Sequence, residues 1–227
     1  MTEPPVAAVR GFRALLGEPR WRALVESGTA RRFRAGEFLV RQGDPGGFLL
    51  VLAEGRVIVN ARDAAGAELL LALRAHGDLI GEMAMRDTAA RTATVTALDD
   101  CTAWRLSDES FRRFLAAHDA QGEYSDYLVG KLSETVPYQM RLVHFSARQR
   151  VARLLLEVVA LAGPGEPSPR RVPFSQEAVA GSLGLARSTV AEQIAALRAD
   201  GALTPGPRLV VADAKALTRH AGVTMTD

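Results

Sequence analysis

Residues 77–95 decide how this chain is read: Gly77-Asp78-Leu79-Ile80-Gly81-Glu82-Met83-Ala84-Met85, then, after a short connection, Arg91-Thr92-Ala93-Thr94-Val95. Gly81 lets the backbone come close to a bound group. A short helix opening there is expected to aim unpaired N–H groups at an anion. Glu82 can accept from a sugar hydroxyl. Arg91 can make charge-assisted bonds to a phosphate, with Thr92 adding a hydroxyl and a backbone N–H.

The sequence around this block is β-rich. Runs at 37–41, 48–53, 56–60, 68–74, 93–97 and 103–106 are separated by turn signals such as Gly43-Asp44-Pro45-Gly46-Gly47 and Ala64-Ala65-Gly66. Many short strands at near-regular spacing predict a barrel or sandwich. The Glu54-Gly55 connection reads as a two-residue hairpin. Before these strands, Val9, Phe12, Leu15 and Leu16, then Trp21, Leu24 and Val25, recur at helical spacing, split near Gly17 and Pro19.

Helical periodicity returns after Ser107, a good N-cap followed by Asp108 and Glu109. From Gly122 a long helix is expected to about Phe145. Along it Tyr124, Leu128, Lys131, Thr135, Tyr138, Leu142 and Phe145 fall alternately four and three residues apart, the seam of a two-stranded coiled coil. Pro137 predicts a kink there, because its ring removes the bond to Ser133.

The second informative block is Phe174 to Gly201. Ser175-Gln176-Glu177 opens a helix, Gly184 supplies a tight turn, and a second helix follows from Arg187. Val190, Ile194 and Leu197 face the core of that helix. Arg187, Ser188, Thr189, Glu192 and Gln193 lie outside the stripe or at its margin, near the end that would enter a major groove. Ser175, Gln176 and Arg208 complete the candidate DNA contacts. A hairpin tipped by Pro205-Gly206-Pro207 supplies a wing. Residues 146–227 hold ten Lys/Arg against seven Asp/Glu, a balance of +3, and the rest of the chain carries −1. Positive charge is therefore at the end where a nucleic-acid partner needs it.

Composition excludes several classes. Cys101 is the only cysteine, so no internal disulfide, iron–sulfur cluster or zinc-finger-type site is expected. It reads as a small buried strand residue. The four histidines are scattered without metal spacing, and neither a phosphate loop of the Walker type nor a GxSxG elbow occurs. No catalytic constellation is visible, so the chain reads as a non-enzyme. No apolar run nears the roughly 20 residues of a membrane span, and the N-terminus does not look like an export signal, so a cytoplasmic protein without membrane contact is expected.

The 77–95 block resembles the phosphate-binding cassette of cyclic-nucleotide-binding domains. With the second block behind it, the chain resembles the Crp/Fnr family of transcription regulators over roughly residues 30–212. The resemblance implies an α+β architecture. An N-terminal cyclic-nucleotide-binding β-roll or jelly-roll domain would occupy 1–118, a long dimerisation helix 119–146, and a C-terminal winged helix-turn-helix domain 147–227. It implies ligand contacts from Gly81, Glu82, Met83, Ala84, Arg91, Thr92 and, on the long helix, Thr135. Glu82 would hold the ribose 2′-hydroxyl, and Arg91 and Thr92 the cyclic phosphate, with cyclic AMP the candidate effector and neither haem, iron–sulfur cluster nor metal. The partners implied are a second copy of the chain, a two-fold symmetric site on double-stranded DNA, and RNA polymerase. Ala90 stands where the family often has proline, and Pro137 falls near the helix positions whose hydroxyls touch the base. Two other readings stay open: the same architecture with a barrel that takes a different ligand, a partner protein or nothing, and an allosteric module controlling an enzyme.

Overall fold

Gly17, at φ 74°, and Pro19 divide the first helical stretch into α1 (Gly11–Leu16) and α2 (Glu18–Glu26). The computed structural model describes residues 10–222 except 65, 67, 86–88 and 164, and along 134–144 it describes the backbone alone. The strands of the N-terminal unit are β1 (Thr29–Phe33), β2 (Phe38–Val40), β3 (Phe48–Glu54), β4 (Arg56–Arg62), β5 (Glu68–Ala75), β6 (Leu79–Ile80), β7 (Thr94–Ala97) and β8 (Cys101–Ser107). They form two antiparallel four-stranded sheets, ordered β1-β8-β3-β6 and β2-β7-β4-β5. Leu50, Leu52, Val57, Ile80, Val95 and Ala103 close the core between them.

The expected Glu54-Gly55 hairpin does not form. β3 pairs with β8 and β6, and β4 pairs with β5 and β7, so the turn hands the chain from one sheet to the other. Gly55 is required there: its φ is 88°, and a Cβ would sit 2.5 Å from Cys101 Sγ. β1 was not legible in the sequence. Thr29-Ala30-Arg31-Arg32-Phe33 is exposed on four of five residues and gains its strand state from pairing with β8.

A bulge in β5 at Leu71 sorts the second sheet into two faces. The cross-strand pairs Arg56/Ala75, Ile58/Leu73 and Asn60/Leu70 look outward, while Val57/Arg74 and Val59/Ala72 look inward.

α3 (Asp108–Ala117) is capped by Ser107, whose Oγ accepts from the Ser110 N–H, and α4 (Gln121–His144) runs through Pro137 as one helix. Phe12 and Phe111 pack against Tyr124 and Tyr127 and fix α4 along the first sheet. α5 (Ala147–Ala160) begins with a Ser146/Gln149 capping box. Beyond it come β9 (Arg171–Val172), α6 (Gln176–Leu183), α7 (Arg187–Ala199), β10 (Leu209–Val210) and α8 (Ala214–His220), with β9 and β10 paired. β9 and α8 were also missed, each being too short for a periodic signal.

The C-terminal unit packs on the barrel. Ile58, Leu70, Leu73 and Ala75, all on the outer face, share one hydrophobic cluster with Val151, Leu155, Val179 and Ile194. Arg56 locks this junction. Its side chain is almost wholly buried, forms a two-point ion pair with Asp99, and donates through Nη1 to the Val158 carbonyl at 2.8 Å. Val158 is in the last turn of α5, where carbonyls lack helical partners and a cation is favoured.

Candidate ligand pocket and nucleic-acid face

Gly81 takes a left-handed conformation at φ 85°, and a Cβ there would lie 2.5 Å from Arg91 Nη1. The turn needs glycine on both counts. It leads into a three-residue 3₁₀ turn, Glu82–Ala84, shorter than the helix expected from the sequence. Around it opens a cavity of about 230 Å³ lined by the cassette, by Val59, Leu71, Ala72 and Arg74 of the second sheet, and by Leu128, Lys131 and Leu132 of α4. Of the residues predicted to bind ligand, Gly81, Glu82, Met83, Ala84, Arg91 and Thr92 all line this cavity. Thr135 lies among the residues whose side chains are not described.

Arg91 is 3 % exposed, with its guanidinium 4.2 Å from the Phe48 ring centroid. Nη1 donates to the Gly81 carbonyl at 2.7 Å and Nη2 to the Phe48 carbonyl at 2.9 Å, while Nε is buried without a hydrogen-bond partner among the described residues. Burial lowers the guanidinium's pKa from its ordinary value, and the Glu82 carboxylate opposes that shift. A guanidinium has five N–H donors. The two carbonyl bonds therefore fix the group and leave three N–H donors, the buried Nε–H among them, for other acceptors.

Glu82 is equally enclosed. Lys131 Nζ lies 2.7 Å from its Oε1 and 2.9 Å from the Leu79 carbonyl oxygen. One turn earlier, the buried Tyr127 hydroxyl accepts from the Leu79 N–H at 2.9 Å and donates to Asp78 Oδ1 at 3.2 Å. Burial pushes the Tyr127 phenol well above its usual range, and Asp78 and Glu82 push it further.

The first positions of the predicted dimer seam serve their own chain. Tyr124, Leu128 and Lys131 face their own barrel, where Tyr124 packs on Phe12 and Phe111 and the other two line the cavity. The exposed apolar side chains of the described part of α4 are Val129 and Leu132, each 61 % exposed. Thr135, Tyr138 and Leu142 fall where side chains are not described. Phe145, just past the helix, is half-buried with the Arg153 guanidinium 4.0 Å from its ring centroid. Lys131 as a pocket residue, and Arg74 with it, were missed. The available signal was a lysine inside an otherwise apolar seam.

In the C-terminal unit, Ser175 caps α6 by accepting from the Ala178 N–H, and Gly184, at φ 59°, turns the chain into α7. Val190, Ile194 and Leu197 are buried as expected. Arg187, Ser188, Glu192, Ser175 and Arg208 are exposed, and Thr189, Gln193 and Gln176 are half-buried. Arg187 Nη1 lies 3.8 Å from Glu177 Oε2, and Arg148 Nε donates to Gln193 Oε1 at 3.1 Å. The turn from 203 to 211 closes through Leu203/Val211 pairing and a bond from the Thr204 N–H to the Val210 carbonyl, forming the wing.

A ligand pocket closed by a long helix, followed by a helix-turn-helix with a wing, defines an effector-binding domain joined to a DNA-binding one. Residues 30–118 match the cyclic nucleotide-binding domain, and residues 149–220 match the Crp-like helix-turn-helix domain. The chain is 26 % identical over 193 residues to a CRP-like cAMP-activated global transcriptional regulator of Mycobacterium tuberculosis, covering 83 % of this chain and 86 % of that protein. A solved CRP-family transcriptional regulator of Thermus thermophilus superposes with a TM-score of 0.71 at 25 % identity, covering 86 % of this chain and 98 % of the other. Over 107 residues the chain is also 33 % identical to cGMP-dependent protein kinase 2 of Rattus norvegicus, covering 46 % of this chain and 13 % of the kinase. The chain belongs to the Crp/Fnr family and has the architecture of its ligand-responsive DNA-binding transcription regulators.

Proposed function

We propose that this regulator works as a homodimer that binds a cyclic mononucleotide in the barrel and a two-fold symmetric DNA site through α7. The observation that carries the ligand reading is the buried Arg91 Nε, without a hydrogen-bond partner among the described residues, beside an enclosed Glu82 carboxylate. Together they offer a donor for a cyclic phosphate and an acceptor for a ribose hydroxyl, one sugar apart in chemistry. Cyclic AMP, expected from the sequence, belongs to the class this pair accepts. Ligand would act through α4, because the Glu82 carboxylate that accepts a ribose hydroxyl is also held by Lys131 of that helix. A DNA partner puts this work in the cytoplasm, and family membership suggests RNA polymerase as the third partner and a role other than catalysis.

Calorimetry with cyclic AMP and cyclic GMP, on the parent and on Arg91→Leu, tests the pocket. Binding to the parent that falls at least tenfold in the variant supports the reading, since a hydrogen bond to a charged group contributes about 1.5–3 kcal/mol. Affinity unchanged by Arg91→Leu removes the anion from the assignment. A gel shift with selected duplexes, with and without nucleotide, tests the coupling. One observation favours a second reading, a barrel that works without ligand: Lys131 already satisfies Glu82, and both Arg91 Nη atoms are bonded to the protein's own carbonyls. Specific DNA binding unaffected by either nucleotide would select it.

A further inference from the structure

The hairpin from Leu203 to Val211 closes its base with its own backbone: these two residues pair, and the Thr204 N–H donates to the Val210 carbonyl. Its tip cannot continue that ladder. Pro205 and Pro207 have no N–H to give, and between them Gly206 stands at φ 113°, a conformation that side chains rarely adopt. The tip is tied to α7 instead. Arg198, in the last turn of that helix, donates through Nη2 to the Gly206 carbonyl. The arginine is half-buried, and its Nε is enclosed without a hydrogen-bond partner among the described residues. A positive charge near a helix C-terminus is favourable in itself. Enclosing an N–H without an acceptor is a cost that such a charge avoids by pointing to solvent, so the bond made by Nη2 is what holds this side chain in place.

We infer that Arg198 is a positioning residue for DNA binding: it sets the wing against α7 so that Arg208 reaches the phosphates of the duplex that Arg187 enters. The inference rests on the DNA reading above. Arg198 leaves α7 about three turns, or about 16 Å, beyond Arg187 and at the same margin of the buried stripe. A wing fixed there stands past the edge of a major groove about 12 Å wide, beside the backbone that borders it. Arg208, two residues after Gly206 and exposed, then has a phosphate within its field. Such a contact adds affinity and salt dependence without reading sequence. Without the Gly206 bond the tip swings about the Thr204/Val210 rung, and DNA must order it at an entropic cost. Arg198 thus acts on the duplex through Arg208, not by touching it.

The test is a double-mutant cycle on the full chain, with the duplex it selects from a random library, with and without cyclic AMP. Arg208→Ala should weaken binding about tenfold on every sequence and lower the salt slope by about one. Arg198→Met keeps the stem and removes the donors, and it should do the same although Arg208 is still present. The double variant should bind no more weakly than Arg208→Ala alone, because the second change removes what the first acts through. A second readout needs no DNA: trypsin should cut the Arg208–Leu209 bond several-fold faster in Arg198→Met than in the parent. Additive losses in the cycle overturn the assignment, since Arg198 then meets the duplex itself. Unchanged affinity in Arg198→Met, or equal cleavage at Arg208, overturns it as well. A parent that binds no duplex under either condition overturns the DNA reading and this one with it. Should Arg198→Met fail to fold, Arg198→Gln, whose shorter side chain stops short of Gly206, is read by the same criteria.

Discussion

Lys131 and Glu82 form the contact through which the long helix and the cassette are joined: Nζ to Oε1 at 2.7 Å, with the lysine side chain 13 % and the glutamate 4 % exposed. Because Tyr127 and Lys131 also take the N–H and the carbonyl of Leu79, α4 grips one cassette residue from both sides. Movement at Glu82 and movement of α4 are therefore not independent. Lys131→Met keeps the length and removes the charge, leaving an enclosed carboxylate uncompensated. We expect a loss of about 2–3 kcal/mol in denaturant unfolding, below the roughly 3–5 kcal/mol of a fully buried pair because the lysine keeps some solvent. Adding Glu82→Gln should restore much of it, with a coupling above about 1 kcal/mol across the four proteins. Additive effects would show that the two groups do not interact.

The Arg56 junction makes a separate prediction about domain coupling. Arg56→Met strands both Asp99 and the Val158 carbonyl, the second at the end of α5. Unfolding stability should fall by about 3 kcal/mol or more, the scale for removing one partner of a buried pair. Limited proteolysis should then cut sooner between α5 and β9, because α5 loses its tie to the barrel. Equal cleavage rates in parent and variant would show that the apolar cluster alone holds the two units together.

Cys101 yields a pH prediction. Its thiol is buried, and desolvation, then the nearby Asp99 charge, push its pKa up to about 12. A thiol unfolded in water ionises near pH 8.5. For an acid raised in the folded state, stability is fully present below the unfolded pKa and declines as pH climbs from there toward 12. At pH 8 the native protein should leave a thiol-reactive disulfide reagent nearly untouched and react stoichiometrically once unfolded. Complete labelling of native protein within minutes would contradict the burial.

Much of this molecule was legible before its structure. The cassette, the capped helices, the turn at Gly184 and the buried stripe Val190, Ile194 and Leu197 follow from local chemistry, and local chemistry is what a sequence displays. The failures share a cause. Glu54-Gly55 looks like a hairpin because turn residues do not say which strands pair, and β1 is invisible because its partner β8 lies about seventy residues away. On α4, a helix with two apolar faces gives one periodic signal, and packing against Phe12 and Phe111 turned Tyr124 toward the barrel.

That choice predicts the dimer contact. With Tyr124, Leu128 and Lys131 turned to the barrel, Val129 and Leu132, the second also bordering the cavity, keep 61 % of their surface open, and we expect both at the contact with a second copy. Both are exposed in the single chain, so charge there should not harm its folding. Val129→Asp with Leu132→Asp would bury unpaired carboxylates in the interface. In sedimentation velocity the parent should run as a dimer and the double variant as a folded monomer of unchanged circular dichroism. Identical sedimentation would place the interface elsewhere.

We predict that Arg187 and Glu192 read the DNA bases. Arg187 opens α7 and is exposed, its guanidinium 3.8 Å from the equally exposed Glu177. A surface pair of this kind is weak, so the arginine is free to leave it for a guanine O6/N7 edge in the major groove. Glu192, also exposed on α7, repels phosphates yet can accept from a cytosine N4. Gln193, by contrast, already accepts from Arg148 and is held beside the groove-facing surface. Selection from a random duplex library should therefore return a palindrome with a guanine under Arg187 and a cytosine preference opposite Glu192. Arg187→Ala should cost about 1–3 kcal/mol and relax the choice at that guanine. Glu192→Arg should tighten binding to unrelated duplexes and steepen its fall with salt, because a repelled group becomes a phosphate partner. If Arg187→Ala weakens all sequences equally and leaves the selected site unchanged, Arg187 binds backbone and the base is read by another residue of α7.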